Sequence, residues 1–481
     1  MLMKITSSVA WSSILAATLV TASARAKEDT FQGVQQSVRE RTGKTIRWEV
    51  DQAAREQTLQ DVRLLLRKPL TVESAVQIAL FNNRSLQATF EEIGLSASDV
   101  TEAATIPNPK IDLAIRFPDK PPSGTYIDYS AAIDFLSIIM IPLKTRVAKD
   151  RLQAASLRVA DEILGLVSQV KQAYYLEQAS QQLLKRFQLI LDTNASSLDL
   201  AQRQHQAGNI TDLALAQQQA SYSRSRLDLA TTEAEMRRNR ERLNRLLGLW
   251  GSDTDWQIAG ELPEVPSSEL PVKSLERLAI SQRLDLQADY LLLTSEAKNL
   301  GLTRAFRLLG ALDFGIESER ETDAQTRTGP TFAIELPIFS QGQARINKSE
   351  AALRQAENKF EALAVGIRSQ IRELRDELQS KREIARFYQE ELLPDQRRIL
   401  NESLINYNAM AIGNFELFTS KAEEARTERE YVEAVRDYWI TRTELERAVG
   451  GNLSPLVFGG GKSPMRRVSS PSRRKFFKGT N

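Results

Sequence analysis

The side chains that most often catalyse reactions or bind metals are scarce in this sequence. Its 481 residues include no cysteine and one histidine, His205, so no thiolate nucleophile, disulfide or cluster of histidine ligands can form. Met140, Met236 and Met410 stand far apart, and methionine fills apolar cores more often than it binds metal. The FGGGK stretch lacks the spacing of a phosphate-binding loop. We therefore predict no enzyme activity, no cofactor and no specific metal site.

The two ends of the chain differ in composition from its body. Residues 1–26 combine Lys4, an apolar stretch and an Ala24-Arg25-Ala26 cleavage pattern, which predicts an export signal without a cysteine for lipid attachment. Residues 451–481 hold seven basic residues and no acidic one, which predicts a basic, disordered tail. Since the total charge is +2 and the two ends hold nine basic residues, the body carries −7. A nucleic-acid partner is therefore not expected.

Two segments of the chain align when the sequence is shifted by 200 positions. Residues 70–88 and 270–288 share seven identities in nineteen positions. Each is followed by patterns for a helix, two strands, a very long helix and a returning helix, so we predict two tandem repeats. The predicted segments are an export signal (1–26), a lead-in (27–69), the first repeat (70–250), a linker (251–269), the second repeat (270–450) and the tail (451–481).

The strand patterns alternate apolar and polar residues, with two strands in each repeat. Beyond the export signal, no window of eighteen uninterrupted apolar residues remains, so any membrane part must consist of strands. Four strands cannot close a barrel, but three copies would supply twelve. From the alternation alone, soluble hairpins resting on helices fit equally well. The candidate strands are 111–117, 128–135, 312–317 and 331–336.

The longest helices are too long for a globular core. No proline occurs between Pro142 and Pro263, which predicts a helix from about Thr145 to Gln206, roughly 90 Å long at 1.5 Å per residue. A second long helix is predicted from Ala344. Their apolar stripes need partner helices, so an elongated bundle or tube is expected.

Five stretches of the chain carry a family resemblance: ALFNNRSLQA, RLDLQA, LPIFSQGQARI, HQAGNITDLALAQQQA and YNAMAIGNFELFTSKAEEA. With them the chain resembles the TolC-type outer membrane efflux proteins, in particular their CzcC- and CusC-like heavy-metal branch. The similarity spans about Arg39 to Leu453. It implies a mainly α fold with a small β part: a homotrimer in which helical hairpins form an α-helical barrel joined to a twelve-stranded outer-membrane β-barrel.

The resemblance also implies a function and partners. The trimer would lie in the outer membrane lipid, extend into the periplasm and serve as the passive exit duct of a tripartite pump. A periplasmic adaptor (membrane fusion) protein and an inner-membrane transporter of the resistance-nodulation-division type would complete that pump. Heavy-metal cations are the expected cargo. A duct for drugs or for type I protein secretion remains an alternative, as does a periplasmic coiled-coil protein without a pore.

The resemblance also places candidate residues at two helical tips, 206–214 and 408–416. Gly208 keeps the glycine that reverses the chain at the first tip, whereas Met410 replaces it at the second, with Gly413 three residues later. Glu416, with Thr419 one turn on, is implied to line the closed constriction. Three copies would make a carboxylate ring that favours cations, but an ordinary solvent-facing Glu416 fits equally well.

Two further expectations concern where helices begin. Asp212 is expected to favour the start of the returning helix rather than to select ions. Relatives often carry proline where this chain has Arg84 and Leu284, so helix starts are less clearly marked there.

Overall fold

The computed structural model describes residues 27–117, 119–120, 124–266, 274–310, 312–321, 323 and 325–451. The predicted export signal, part of the predicted linker and all but the first residue of the predicted tail lie outside these ranges. The described chain is mainly helical and contains one small sheet, which confirms the predicted fold class at this level. None of the described helices is both long and apolar enough to cross a membrane.

The first half of the chain leads from a pair of short helices through a hairpin to a very long helix. The longest element, α5, has 72 residues and is therefore about 108 Å long at 1.5 Å per residue. The elements are α1 (27–42), α2 (Gln52–Leu66), α3 (Val72–Asn82), α4 (Arg84–Ala104), β1 (Lys110–Arg116), β2 (Tyr126–Asp134), α5 (Phe135–Gln206) and α6 (Asp212–Leu247).

The second half has the same order of elements. A short 3-10 turn, Gly251–Thr254, precedes it, and a π-helical turn, Tyr388–Leu392, interrupts its longest helix. The elements are α7 (Leu275–Gln282), α8 (Leu284–Ala305), β3 (Leu312–Arg320), β4 (Thr326–Ile334), α9 (Gln343–Phe387), α10 (Leu393–Asn408) and α11 (Asn414–Val449).

The four strands form one antiparallel sheet in the order β1-β2-β3-β4. Pairing of β2 with β3 joins the two halves, with Ala131 opposite Ile316. The predicted last strand was wrong in its bounds, because β4 begins at Thr326 and ends at Ile334. The polar 326–330 segment resembles a turn, but pairing with β3 extends it, with Pro330 opposite Ile316. Proline is tolerated there because β4 lies at an edge of the sheet.

The long helix α5 starts ten residues earlier than predicted. It follows β2 directly, and the Asp134 carboxylate accepts a hydrogen bond from the Ser137 amide (3.0 Å). Pro142 lies inside the helix rather than before it. The apolar run that begins at Phe135 is compatible with either a strand or a helix, so its periodicity could not decide between them.

In both halves, two consecutive helices are separated without a proline, and the end of a returning helix packs against the point where they meet. The Asn83 side chain caps α4 by accepting from the Leu86 amide (3.0 Å), whereas Arg283 is held by Asp285 (2.6 Å). Asn82 Nδ2 donates to the Leu247 and Gly248 carbonyl oxygens (3.0 and 2.7 Å) at the end of α6. A Cβ on Gly248 would lie 2.5 Å from the Asn82 carbonyl oxygen, so only glycine fits this approach.

Two large apolar clusters and a smaller third one between α5 and α11 hold the helices together, and α5 packs against α4, α6, α8 and α11. One cluster joins α1, α3, α4, α5 and the end of α6, and includes Phe90 and Trp256. The other joins α7, α8, α9 and α11, and includes Ile367 and Tyr438. Trp439 bridges them, because its ring stacks on Tyr175 (5.5 Å) and meets Tyr438 edge-on (5.4 Å).

A buried carboxyl group lies within the α5 packing. Glu177 is fully buried, and its Oε1 accepts from Gln181 Nε2 (3.1 Å). Its other oxygen has no hydrogen-bond partner among the described residues. Burial is the main reason that the pKa of Glu177 is raised to about 7.

Glu177→Gln should stabilise the protein at alkaline pH. Since the pKa is about 7 in the folded chain and 4.5 when exposed, ionisation lowers the free energy of unfolding as the pH rises through this interval. At pH 8 this loss is on the order of 3 kcal/mol, and the neutral amide avoids it. Thermal unfolding at pH 8 and pH 5 measures the effect: the variant should melt higher at pH 8 and gain little at pH 5. Equal melting at pH 8, or the same gain from the exposed control Glu373→Gln, would contradict this account.

Candidate functional site

One face of the four-stranded sheet is apolar and exposed. The register places Leu113 opposite Tyr129, Ala131 opposite Ile316 and Phe314 opposite Phe332. Directly opposite residues point to the same face of a sheet. Leu113 is 64% exposed and Phe332 68%. An apolar patch of this kind marks a surface that meets a membrane or another protein.

The opposite face of the same sheet is rich in carboxylates. Asp134 pairs with Asp313, Ser130 with Glu317, and Asp128 with Glu319. Asp112 of β1 is a further carboxylate on this face, and it lies opposite Ser130. Lys110, Arg116 and Arg327 lie on this face too, and Lys110 Nζ is 3.9 Å from an oxygen of Asp313. The sheet thus separates an apolar surface from an acidic one.

The first helical tip, between α5 and α6, reverses the chain at Gly208. Its φ of +72° allows the Asn209 amide to donate to the Gln204 carbonyl oxygen (2.8 Å). His205 Nε2 lies 2.7 Å from Asp212 Oδ1, so the single histidine joins the end of α5 to the start of α6. Asp212 lies in the first turn of α6, as the sequence predicted.

The second tip, between α10 and α11, has the same backbone with a different residue. Met410 has a φ of +55°, and the Ala411 amide donates to the Asn406 carbonyl oxygen (2.8 Å). Met410 therefore takes the position of Gly208, and its side chain is 93% exposed. Gly413 precedes α11 with a φ of −86° and does not replace the missing glycine. A left-handed conformation costs a non-glycine residue roughly 1 kcal/mol or more.

The predicted gate residues lie just beyond this tip. Glu416 and Thr419 are exposed in the first turns of α11, and Thr419 Oγ1 donates to the Phe415 carbonyl oxygen (2.8 Å). Glu416 makes no ion pair with any residue that the structure describes. Thr419 lines a groove with Asn194 and Gln218, so the two helical hairpins lie side by side near their tips. Within the described ranges, no cluster of three or more His, Asp or Glu residues could hold a metal ion.

A cluster that sequence reasoning missed connects the two hairpins. Glu428 on α11 bonds Arg186 of α5 (2.9 Å) and Arg397 of α10 (3.4 Å), and its side chain is 14% exposed. A few residues before Arg397, the π-helical turn and Pro394 interrupt the α9–α10 helix. The sequence gives no signal for this link, because its members are far apart in the chain.

The chain combines long helical hairpins with a sheet that has one exposed apolar face and one acidic face. Residues 75–249 match the family model of outer membrane efflux proteins. The chain is 20% identical over 390 residues to the cobalt-zinc-cadmium resistance protein CzcC of Cupriavidus metallidurans, covering 79% of this chain and 90% of that protein. These matches confirm the predicted resemblance to the TolC-type outer membrane efflux proteins and to their heavy-metal branch.

Solved structures support the same fold. The chain matches CusC with a TM-score of 0.66 and 18% identity, covering 79% of this chain and 92% of that one. It matches the Campylobacter jejuni outer membrane channel CmeC with a TM-score of 0.68 and 13% identity, covering 79% and 85%. These likenesses show that the chain has the fold of outer membrane channels.

Reciprocal substitutions test the backbone of the two tips. Met410→Gly should stabilise the second tip by about 1 kcal/mol, and Gly208→Ala should destabilise the first by a similar amount, because only glycine adopts a positive φ without strain. Hydrogen exchange of amides in 204–214 and 406–416 reports local opening. The control, Gly366→Ala, lies within α9 at a site with open space and away from both tips, so it should leave exchange in these segments unchanged. Unchanged exchange in Met410→Gly would show that the left-handed turn costs nothing.

Proposed function

We propose that this protein is the passive exit duct of a tripartite efflux pump and that it conducts heavy-metal cations. The observation that carries the proposal is the sheet with one exposed apolar face and one acidic face. Lipid would cover the apolar face, and the acidic face would line a water-filled passage. The relative named for cobalt, zinc and cadmium resistance supports metal cations as the cargo.

A single chain cannot close the passage, since β1 and β4 leave two sheet edges. Three copies would supply twelve strands, and pairing β1 of one copy with β4 of the next would give both edges a partner strand. Each copy would bring six carboxylates and three basic side chains to the inner face, so the passage would attract cations. The carboxylates are Asp112, Asp128, Asp134, Asp313, Glu317 and Glu319.

The helical hairpins would extend the passage through the periplasm. At about 108 Å, α5 is much longer than the roughly 30 Å core of a bilayer. The tips would meet a periplasmic adaptor protein, and an inner-membrane transporter of the resistance-nodulation-division type would supply the energy. Glu416, exposed beside the second tip, would form a ring of three carboxylates at the constriction, with Thr419 one turn above it.

A sensitivity panel on a deletion strain tests the cargo. The panel compares metal cations with dyes, detergents and antibiotics, in the deletion strain and in a strain complemented with the full chain. We expect selective sensitivity to metal cations that the intact gene relieves. Sensitivity to organic compounds alone would contradict the metal cargo, leaving a drug or secretion duct. A soluble rod in the periplasm, instead of detergent-resistant trimers from the outer membrane, would contradict the duct itself.

Two neighbouring residues on opposite faces of β4 provide the matched variants for this panel. Phe332→Lys would place a charge in lipid and cost about 2–4 kcal/mol, so it should abolish outer-membrane assembly and the rescue. Thr331→Lys places the same charge on the inner face and should keep both. Equal behaviour of the two variants would contradict the assignment of the faces.

Glu416→Gln tests the proposed constriction. Removing three carboxylates from a narrow ring should lower the ratio of cation to anion permeability of single channels in planar bilayers, by several-fold at low salt. The control is Glu56→Gln, which removes an exposed carboxylate from α2. An unchanged permeability ratio in Glu416→Gln would show that Glu416 only faces solvent.

A further inference from the structure

A small cavity lies where the end of α1, the start of α3, the middle of α5 and the last turns of α11 meet. Its volume is about 90 Å³, enough for a few waters at about 30 Å³ each or for one tetrahedral oxyanion. Both the channel passage and the helical tips lie elsewhere in the fold. The charged side chains that line it are Arg41, Lys44, Glu73, Lys171, Glu446 and Arg447.

Positive charge exceeds negative charge around this cavity. The lining has four basic and two acidic side chains. Beyond the lining, Asp161 pairs with Arg447 (2.7 Å) and Arg442 lies 3.8 Å from Glu446. The Glu40 carboxylate also acts on Arg41, which leaves a surplus of one positive charge. Such a surplus is unfavourable in a partly buried space unless an anion compensates it.

The basic side chains are held in place and are partly buried. Lys171 Nζ lies 3.0 Å from Glu446 Oε2, and its side chain is 21% exposed. Lys44 pairs with Glu73, whose side chain is 65% exposed. Arg41 donates to the carbonyl oxygen of Gly450 (2.5 Å). Burial lowers the pKa of Arg41 below its ordinary value, so the protein holds this cation at a cost in free energy.

We propose that this cavity binds one small oxyanion of the phosphate or sulfate type, held by Arg41, Lys44 and Lys171. Its negative charge compensates the positive surplus, and charge-assisted hydrogen bonds from guanidinium and ammonium groups suit its oxygens. The bound ion connects the segment after α1 to α5 and to the end of α11. These elements lie far apart in the sequence, so the ion stabilises their contact as a ligand that binds only the folded chain.

Thermal unfolding of the full detergent-solubilised protein tests the site, with inorganic phosphate exchanged for chloride at constant ionic strength. The melting temperature of the unaltered chain should rise and saturate with phosphate. Lys44→Met should weaken the apparent affinity at least tenfold, and its loss is tolerable because the partner Glu73 is exposed. Glu73→Gln removes a competing carboxylate and should tighten phosphate binding several-fold.

The opposite signs of these two changes separate a binding site from simple damage to the fold. Lys359→Met removes an exposed lysine from α9 and should leave the phosphate response unchanged. Glycerol phosphate distinguishes the free ion from a lipid headgroup. The free ion should bind more tightly, because the ester leaves one oxygen fewer for Arg41, Lys44 and Lys171. The proposal is overturned by no saturable response to phosphate, by an equal response in Lys44→Met, by weaker binding in Glu73→Gln, or by an equal response to glycerol phosphate.

Discussion

The exposed apolar face of the sheet is the constraint on which the rest of this structure depends. A face that carries Leu113, Phe314 and Phe332 into contact with water would be strongly unfavourable, at about 25 cal/mol for each Å² exposed. It is stable only against lipid or another apolar surface. Since unpaired backbone groups are costly in lipid, the strand edges also need partners. Both the proposed membrane location and the proposed assembly of several copies rest on this one surface.

The junction between the sheet and the helices fixes the direction of the helices relative to the sheet. No loop separates β2 from α5, and the Asp134 cap fixes the direction in which the helix leaves the sheet. Because α5 packs against helices of both halves, it aligns the second hairpin with the first. Farther along, Trp439 and Glu428 link α11 to the first hairpin through ring stacking and ion pairs. A change in the angle of one hairpin must therefore affect the other.

Much of this fold could be predicted from local patterns, because those patterns are strong. Absence of proline predicted the long helices, alternation predicted four strands, and Gly208 predicted a tight reversal. The start of α5 at Phe135 could not be predicted, since an apolar run fits a helix or a strand. The 326–330 segment joined β4 only because β3 pairs with it. The contacts of Glu428 and the charges around Lys171 come from residues hundreds of positions apart, which local patterns do not encode. The role of Glu416 remains a prediction.

The π-helical turn makes the two hairpins mechanically unequal despite their common order of elements. The first hairpin has an unbroken helix of 72 residues, whereas its counterpart changes its hydrogen-bond spacing over Tyr388–Leu392, directly before Pro394. A π-helical turn and a proline are the usual sites at which a long helix bends. In α10, which follows this turn, Leu393 is the one buried residue, so the rest of α10 has few buried contacts that would hold it in place. A tube assembled from such chains would alternate stiff helices with more flexible ones, so its end could widen while its wall stayed intact.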